Sequence, residues 1–182
     1  DVIKELYELG VSKVCMLTGD NERTAAAVAK KLDLTAYRAE VLPEDKLAFI
    51  KAEHAAGRKV IMVGDGVNDA PALSESDVGI AVNEGAAIAR EIADITISSD
   101  DLRRIVLLRR ISMQLMERID NNYKFIVAFN AGLIGLGVAG ILKPSSSALF
   151  HNGSTILSGL YSTTPLLSES EEDIKELDYE EA

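Results

Sequence analysis

Over the first hundred residues, short apolar runs alternate with longer, periodic segments rich in Ala and Lys. The runs fall near 13–17, 36–39, 59–64, 78–82 and 94–97 and read as strands. The intervening segments, near 1–9, 22–32, 44–56, 69–75 and 85–92, read as helices. This alternation predicts βαβ units and a parallel sheet covered on both faces. Gly10 and Gly57 are expected to close a helix before the next strand. In such a sheet the ligand site lies beyond the carboxyl ends of the strands.

The pattern changes after residue 100. A long polar helix is predicted from about Asp101 to Tyr123, carrying Arg103, Arg104, Arg109, Arg110 and Arg118. With Lys124 these cations precede the uncharged stretch Phe125–Leu142. Eighteen residues of helix would reach about 27 Å, close to one bilayer core, so this stretch is expected to span a membrane. The basic flank puts its start in the cytoplasm. Ala131, Gly135 and Ala139 recur every four residues, a stripe suited to close packing on another membrane helix. After the turn Lys143-Pro144-Ser145, a second uncharged stretch, Ser146–Leu167, would bring the chain back. The expected organisation is therefore a catalytic domain over 1–100, a linking helix over 101–124, two transmembrane helices over 125–167 and a disordered tail over 168–182.

Charge changes the picture only locally. The net charge is −10, but the tail 168–182 alone holds eight acids and one lysine. The rest of the chain holds 21 acids and 18 bases. Without a basic footprint, nucleic acid is not an expected partner. Cys15 is the only cysteine, which excludes an internal disulfide and a Cys-x-x-Cys metal site; in an apolar strand it reads as a small core residue.

Three segments carry chemistry. The run Lys59-Val60-Ile61-Met62-Val63 ends in Gly64-Asp65-Gly66-Val67-Asn68-Asp69-Ala70-Pro71. A buried strand that stops at Gly-Asp delivers a carboxylate to its carboxyl tip. Asp65 and Asp69 are two hard oxygen donors of the kind Mg²⁺ takes beside a phosphate. Met16-Leu17-Thr18-Gly19-Asp20-Asn21 follows another strand, and Thr18 with the next backbone N–H groups could hold phosphate oxygens. Pro43-Glu44-Asp45-Lys46 opens a helix, with Pro43 in its first turn and Lys46 as a point charge for the phosphate. Asn21 reads as a helix cap, Asp20 as cap or hinge, and His54 as a surface residue of a soluble helix.

At these spacings, Thr-Gly-Asp-Asn, Pro-Glu-Asp-Lys and Gly-Asp-Gly-Val-Asn-Asp-Ala-Pro resemble the phosphorylation domain of a P-type ATPase. Asp77-Val78-Gly79-Ile80-Ala81-Val82 and Ala93-Asp94-Ile95 resemble its heavy-metal branch in particular. The resemblance covers residues 1 to about 167. It implies a Rossmann-like haloacid-dehalogenase domain of α/β class with a parallel sheet, followed by the two membrane helices. It also implies roles. Thr18, Gly19 and Asp20 would line the phosphate and hinge region. Lys46 would stabilise an aspartyl phosphate. Asp65 would coordinate Mg²⁺, with Asn68 and Asp69 completing the network. ATP and Mg²⁺ are the implied ligands. The implied partners are the actuator, nucleotide-binding and other membrane segments of one pump chain, with lipid around them. The expected location is a plasma membrane, with the catalytic domain and acidic tail cytoplasmic.

No Asp-Lys-Thr-Gly-Thr motif, which carries the family's phosphorylated aspartate, occurs in these residues, so the chain reads as a C-terminal fragment that should not turn over ATP alone. The expected cargo is a divalent transition metal (Zn, Co, Cd or Ni) or copper. Asn122 and Asn130 match the spacing of two asparagines in the copper pumps, while Phe129 stands where those pumps have Tyr. His151-Asn152-Gly153-Ser154-Thr155 resembles the His-Glu-Gly-x-Thr of cobalt/zinc pumps, with Asn152 in place of the glutamate. Asn130 and His151 are thus the candidate ligands of the transported metal; the alternative is that His151 only hydrogen-bonds near the outer interface. Rival readings are a soluble haloacid-dehalogenase-type phosphatase and a non-catalytic pump remnant.

Overall fold

A computed structural model of the chain describes residues 2–65, 68–82, 91–97 and 102–166. The described elements alternate as expected: α1 (Val2–Glu8), β1 (Cys15–Leu17), α2 (Glu22–Lys31), β2 (Ala36–Arg38), α3 (Pro43–Ala55), β3 (Ile61–Gly64), α4 (Ala70–Glu75), β4 (Val78–Val82) and β5 (Ile95–Ile97). All strand pairs are parallel. Residues 91–92 are helical; the rest of the helix expected over 85–92 lies outside the described residues.

The sheet is divided. β1 pairs with β2, and β3-β4-β5 form a second ladder. Cys15 sits opposite Ala36, Ile61 opposite Val78 and Ile80 opposite Ile95. The single parallel sheet expected from the alternation is thus two parallel ladders among the described residues. The core gathers under α3 and α4. Ile50, Leu73 and Ile80 are each 1 % exposed, and Phe49, Val60 and Ile92 pack against the cluster of Ile50, Met62, Ala72 and Leu73. Cys15 is half-buried in β1, and burial pushes its thiol pKa up.

Helices α1, α2 and α3 stop by one local device. After α3, Gly57 donates to the His54 carbonyl (2.8 Å) and Arg58 to the Glu53 carbonyl (3.1 Å), with Gly57 at φ +76°. This is the Schellman arrangement, in which a left-handed residue turns the chain back onto orphan carbonyls. α1 ends the same way at Gly10, and α2 at Asp33 (φ 53°), an Asp that tolerates the left-handed region.

From Leu108 onward the chain forms a second compact unit. Helix α5 (Arg103–Val138) runs into it and is followed by α6 (Pro144–Ser162). The polar linking helix and the first apolar stretch are therefore one continuous helix. It ends four residues before the expected span does, because Gly140 (φ +71°) donates to Gly137 and Ile141 to Leu136 (3.0 Å each), the same Schellman stop. Only Phe125–Val138 of the apolar run stays helical, a rise of about 21 Å against the roughly 30 Å of a bilayer core. The apolar side chains of α6 are interspersed with Ser, Thr, His and Asn. Among the described residues, no helix is long and apolar enough to cross a membrane. That differs from the two spans expected over 125–167; the acidic tail lies outside the described residues.

One close approach fixes α4 on β4. A Cβ on Gly79 would lie 2.8 Å from the Leu73 carbonyl oxygen and 3.3 Å from its carbon, both backbone atoms. Gly79→Ala should therefore lower stability by about 1–3 kcal/mol, read as a lower urea midpoint with unchanged slope.

Candidate functional site

β1, β2 and β3 each pass into the next helix through a short connection, and the three motifs occupy these connections and helix starts at the carboxyl ends of the strands. The tips are stitched by backbone bonds. Thr18 donates its N–H to Arg38, Val41 donates to Thr18, and Glu40 (φ 52°) donates to Asp20, at 2.8–3.0 Å. These carry the β1–β2 ladder one step beyond its last strand residue and lay the Thr18-Gly19-Asp20 loop against the entrance to α3. Pro43 starts α3 in its first turn, and the Asp45 carboxylate accepts the Leu42 N–H (3.1 Å), closing the helix start.

Lys46 is one turn into that helix. Its Nζ lies 2.6 Å from Asp69 Oδ1, and the two side chains keep 17 % and 10 % of their exposure. Charge-assisted and shielded from water, this contact joins the β2–α3 segment to the end of β3. Gly64 makes room for it: a Cβ there would meet Asp69 Oδ2 at 2.6 Å. Asp65 and Asn68 are exposed at the same tip. Gly66 and Val67 lie outside the described residues.

Thr18 and Asp20 form a closed pair. The Thr18 hydroxyl donates to Asp20 Oδ2 (3.0 Å) and accepts the Asp20 N–H (3.1 Å). Asn21 caps α2, its Oδ1 accepting the Thr24 N–H (3.0 Å). The donor set fits Mg²⁺: one open carboxylate and a second with one oxygen left beyond Lys46, to be completed by phosphate oxygens and water. No group of three or more His, Cys, Asp or Glu is placed to hold a metal among the described residues.

Several groups were not evident from the motifs. Glu53 is 8 % exposed and accepts from Lys13 Nζ (2.8 Å) and from Arg58 Nε. These hydrogen bonds, Arg58's first and then Lys13's, lower its pKa to about 2. The Phe49 ring lies beside two cations, Lys13 at 5.2 Å and Arg38 at 5.0 Å. His54 is not a bare surface residue: its Nε2 is 2.9 Å from Asp77 Oδ2, which also accepts the Val60 N–H, while Lys59 holds the other oxygen. Lys59 and the Val60 N–H hold the Asp77 carboxyl well below the usual carboxylate range. The seven-residue spacing of Lys46 and Glu53 was the available signal for the first of these.

In the second unit, polar pairs run up the α5–α6 hairpin. Arg118 donates to the Thr164 and Pro165 carbonyls and stacks on Tyr161 (5.2 Å). Asn122 donates to Ser162 (2.9 Å). Asn130 Oδ1 and His151 Nδ1 are 2.8 Å apart, so the two residues singled out for a transported metal are neighbours. The Ser154 and Thr155 hydroxyls bond back to the His151 carbonyl.

The haloacid dehalogenase-like hydrolase family matches residues 1–77. The manganese-exporting P-type ATPase of Mycobacterium leprae is 42 % identical over 157 residues, 86 % of this chain and 22 % of that protein. Copper-transporting ATPase 2 of Rhizobium meliloti is 46 % identical over 147 residues, 81 % of this chain and 18 % of that one. A zinc-transporting PIB-type ATPase solved in its E2.Pi state superposes with a TM-score of 0.80 at 33 % identity, covering 88 % of this chain and 26 % of that one. The chain thus spans about a fifth of the length of the curated relatives it matches.

Two outcomes are expected. Gly64→Ala should push Asp69 off Lys46, measured as faster modification of the Lys46 amine by an acylating reagent. Because Glu53 ionises near pH 2 rather than at its ordinary 4.5, its contribution to stability is complete above about pH 4.5 and is lost as pH falls toward 2. Urea midpoints should drop across that window, and Glu53→Gln should flatten the drop.

Proposed function

Over most of its length this chain is a homologue of the heavy-metal P-type ATPases, and from that premise we propose that it serves ATP-driven export of a transition-metal cation as part of a longer pump. The observation that carries this is the Lys46–Asp69 contact at the tips of parallel strands, beside the Thr18 loop. A phosphoryl group moving between ATP and an aspartate elsewhere in the pump needs positive charge where its oxygens gather, and little else. Lys46 supplies that charge. Asp69 holds the ammonium in place while no phosphate is present. Thr18 presents a hydroxyl and Gly19 a backbone N–H to the same oxygens. Mg²⁺ bound at Asp65 and Asp69 would neutralise further charge on the phosphate. Asn68, exposed at that tip, is read as a further member of the same network. Asp20 holds the Thr18 hydroxyl until a phosphate oxygen competes for it.

The hairpin is read as the part that meets the membrane and the cargo. Phe125, Val127, Ile134, Leu149, Ile156 and Leu160 are all exposed on it; such surface is costly in water and suits lipid or neighbouring apolar helices of the same chain. Asn130 and His151 offer an amide oxygen and an imidazole, a donor pair suited to Zn²⁺, Co²⁺, Ni²⁺, Cd²⁺ or copper, with further ligands to come from other helices. Lipid, the remaining pump domains and a plasma-membrane location with a cytoplasmic catalytic domain follow from the same reading.

The test is acid-stable, hydroxylamine-sensitive phosphoenzyme formed from labelled ATP in the intact pump, with Cu⁺, Zn²⁺, Co²⁺, Ni²⁺, Cd²⁺ and Mn²⁺ added singly. One metal is expected to stimulate it, and His151→Ala to weaken that stimulation. Asp65→Asn should reduce metal-stimulated turnover at least a hundredfold, on the order of one lost electrostatic contact to the transition state; ordinary turnover in that variant would refute the assignment.

A further inference from the structure

Helix α3 touches both ladders, and it does so with charges at the two ends of one face. Lys46 and Glu53 are seven residues apart, so they point in nearly the same direction and stand about 10 Å apart along the axis. Ile50 lies between them on that face, 1 % exposed. At one end Lys46 meets Asp69, just past β3. At the other, Glu53 takes Lys13, just before β1, and Arg58, just before β3. β1 and β3 belong to different ladders and share no backbone bonds among the described residues. The buried Glu53 carboxylate is therefore a tie between the strand that ends at Thr18 and the strand that ends at Gly64.

Replacing a whole buried ion cluster with apolar groups is often neutral or stabilising, whereas removing one member leaves the others uncompensated, so stability alone does not account for a carboxylate here. What a carboxylate adds is direction. Its side chain keeps 11 % of its exposure while Lys13 and Arg58 keep 36 % and 49 %, so two rim cations reach inward to one fixed anion. The Schellman turn after α3 presents Arg58 to it: the Arg58 N–H is bonded to the Glu53 carbonyl, which brings the two side chains together.

We propose that Glu53 is a positioning residue for the phosphate site. It fixes the height of α3 against both strands and so sets where Lys46 meets Asp69. The catalytic consequence rests on the phosphoryl-transfer reading above; the geometric one does not.

The test has two arms. The first uses the full chain in detergent micelles, with NMR signals of the Lys46 side chain and the Asp69 and Thr18 amides. Glu53→Gln and Glu53→Leu should move all three toward their positions in an Asp69→Asn reference. Signals that stay at wild-type positions, with changes only around Lys13 and Arg58, would overturn the proposal. Should a Glu53 variant not fold, Lys13→Met and Arg58→Met, which each leave one cation, must give the same displacement at smaller size or the proposal fails. The second arm measures phosphoenzyme formation from labelled ATP with Mg²⁺ and Zn²⁺ in the intact pump. Glu53→Gln should slow it about tenfold with ATP affinity unchanged, and an unchanged rate counts against the role. A wild-type pump that forms no phosphoenzyme would instead defeat the phosphoryl-transfer reading, leaving the NMR arm to judge Glu53.

Discussion

An ammonium held 2.6 Å from a carboxylate, both mostly out of water, is the contact on which the first unit is organised. Neither charge could be left there alone without a cost of several kcal/mol. Each therefore requires the other, and with it the elements that bring them. Lys46 needs α3 started at the right residue, which Pro43 and Asp45 ensure. Asp69 needs a strand end without a side chain in its path, which Gly64 provides. Two ladders that share no backbone bonds among the described residues are thereby joined at the carboxyl ends of their strands.

How much of this could be read from the sequence depends on how local the physics is. The motif strands and helices fell within a few residues of their expected bounds, because apolar period, Pro43 and the closing glycines act over one or two turns. Lys46 and Asp69 were singled out by their motifs, and Asn130 and His151 by theirs. The division into two ladders was not legible, since pairing partners are chosen across the fold. Nor was Glu53 beyond its seven-residue spacing from Lys46: an acid in a helix rich in Glu, Asp and Lys reads as solvated, and Lys13, from a distant segment, with Arg58, just past the helix, makes it an interior residue. His54 stays at the surface, and only its pairing with Asp77, standing before β4, was not legible.

The length of the apolar helix was misjudged for a different reason. Hydropathy counts residues, whereas the helix obeys its stop signal. Gly140 ends it inside a run that remains apolar through Leu142, so the uncharged stretch and the helix are not the same object. Charge and conformation were both encoded there, and the conformation governed.

That stop has a mechanical meaning for the hairpin. Arg118 with Thr164, Asn122 with Ser162 and Asn130 with His151 are pairs whose alignment depends on one short turn, residues 139–143. Each residue of helix advances the side chains by about 100°. Adding or losing one residue in that turn would rotate the whole of α6 like a gear slipped by a tooth, taking every pair out of mesh together. The spacing of the donors that face each other is therefore written in the five residues 139–143, and evolution can retune the pair chemistry by substitution but the alignment only by changing the turn.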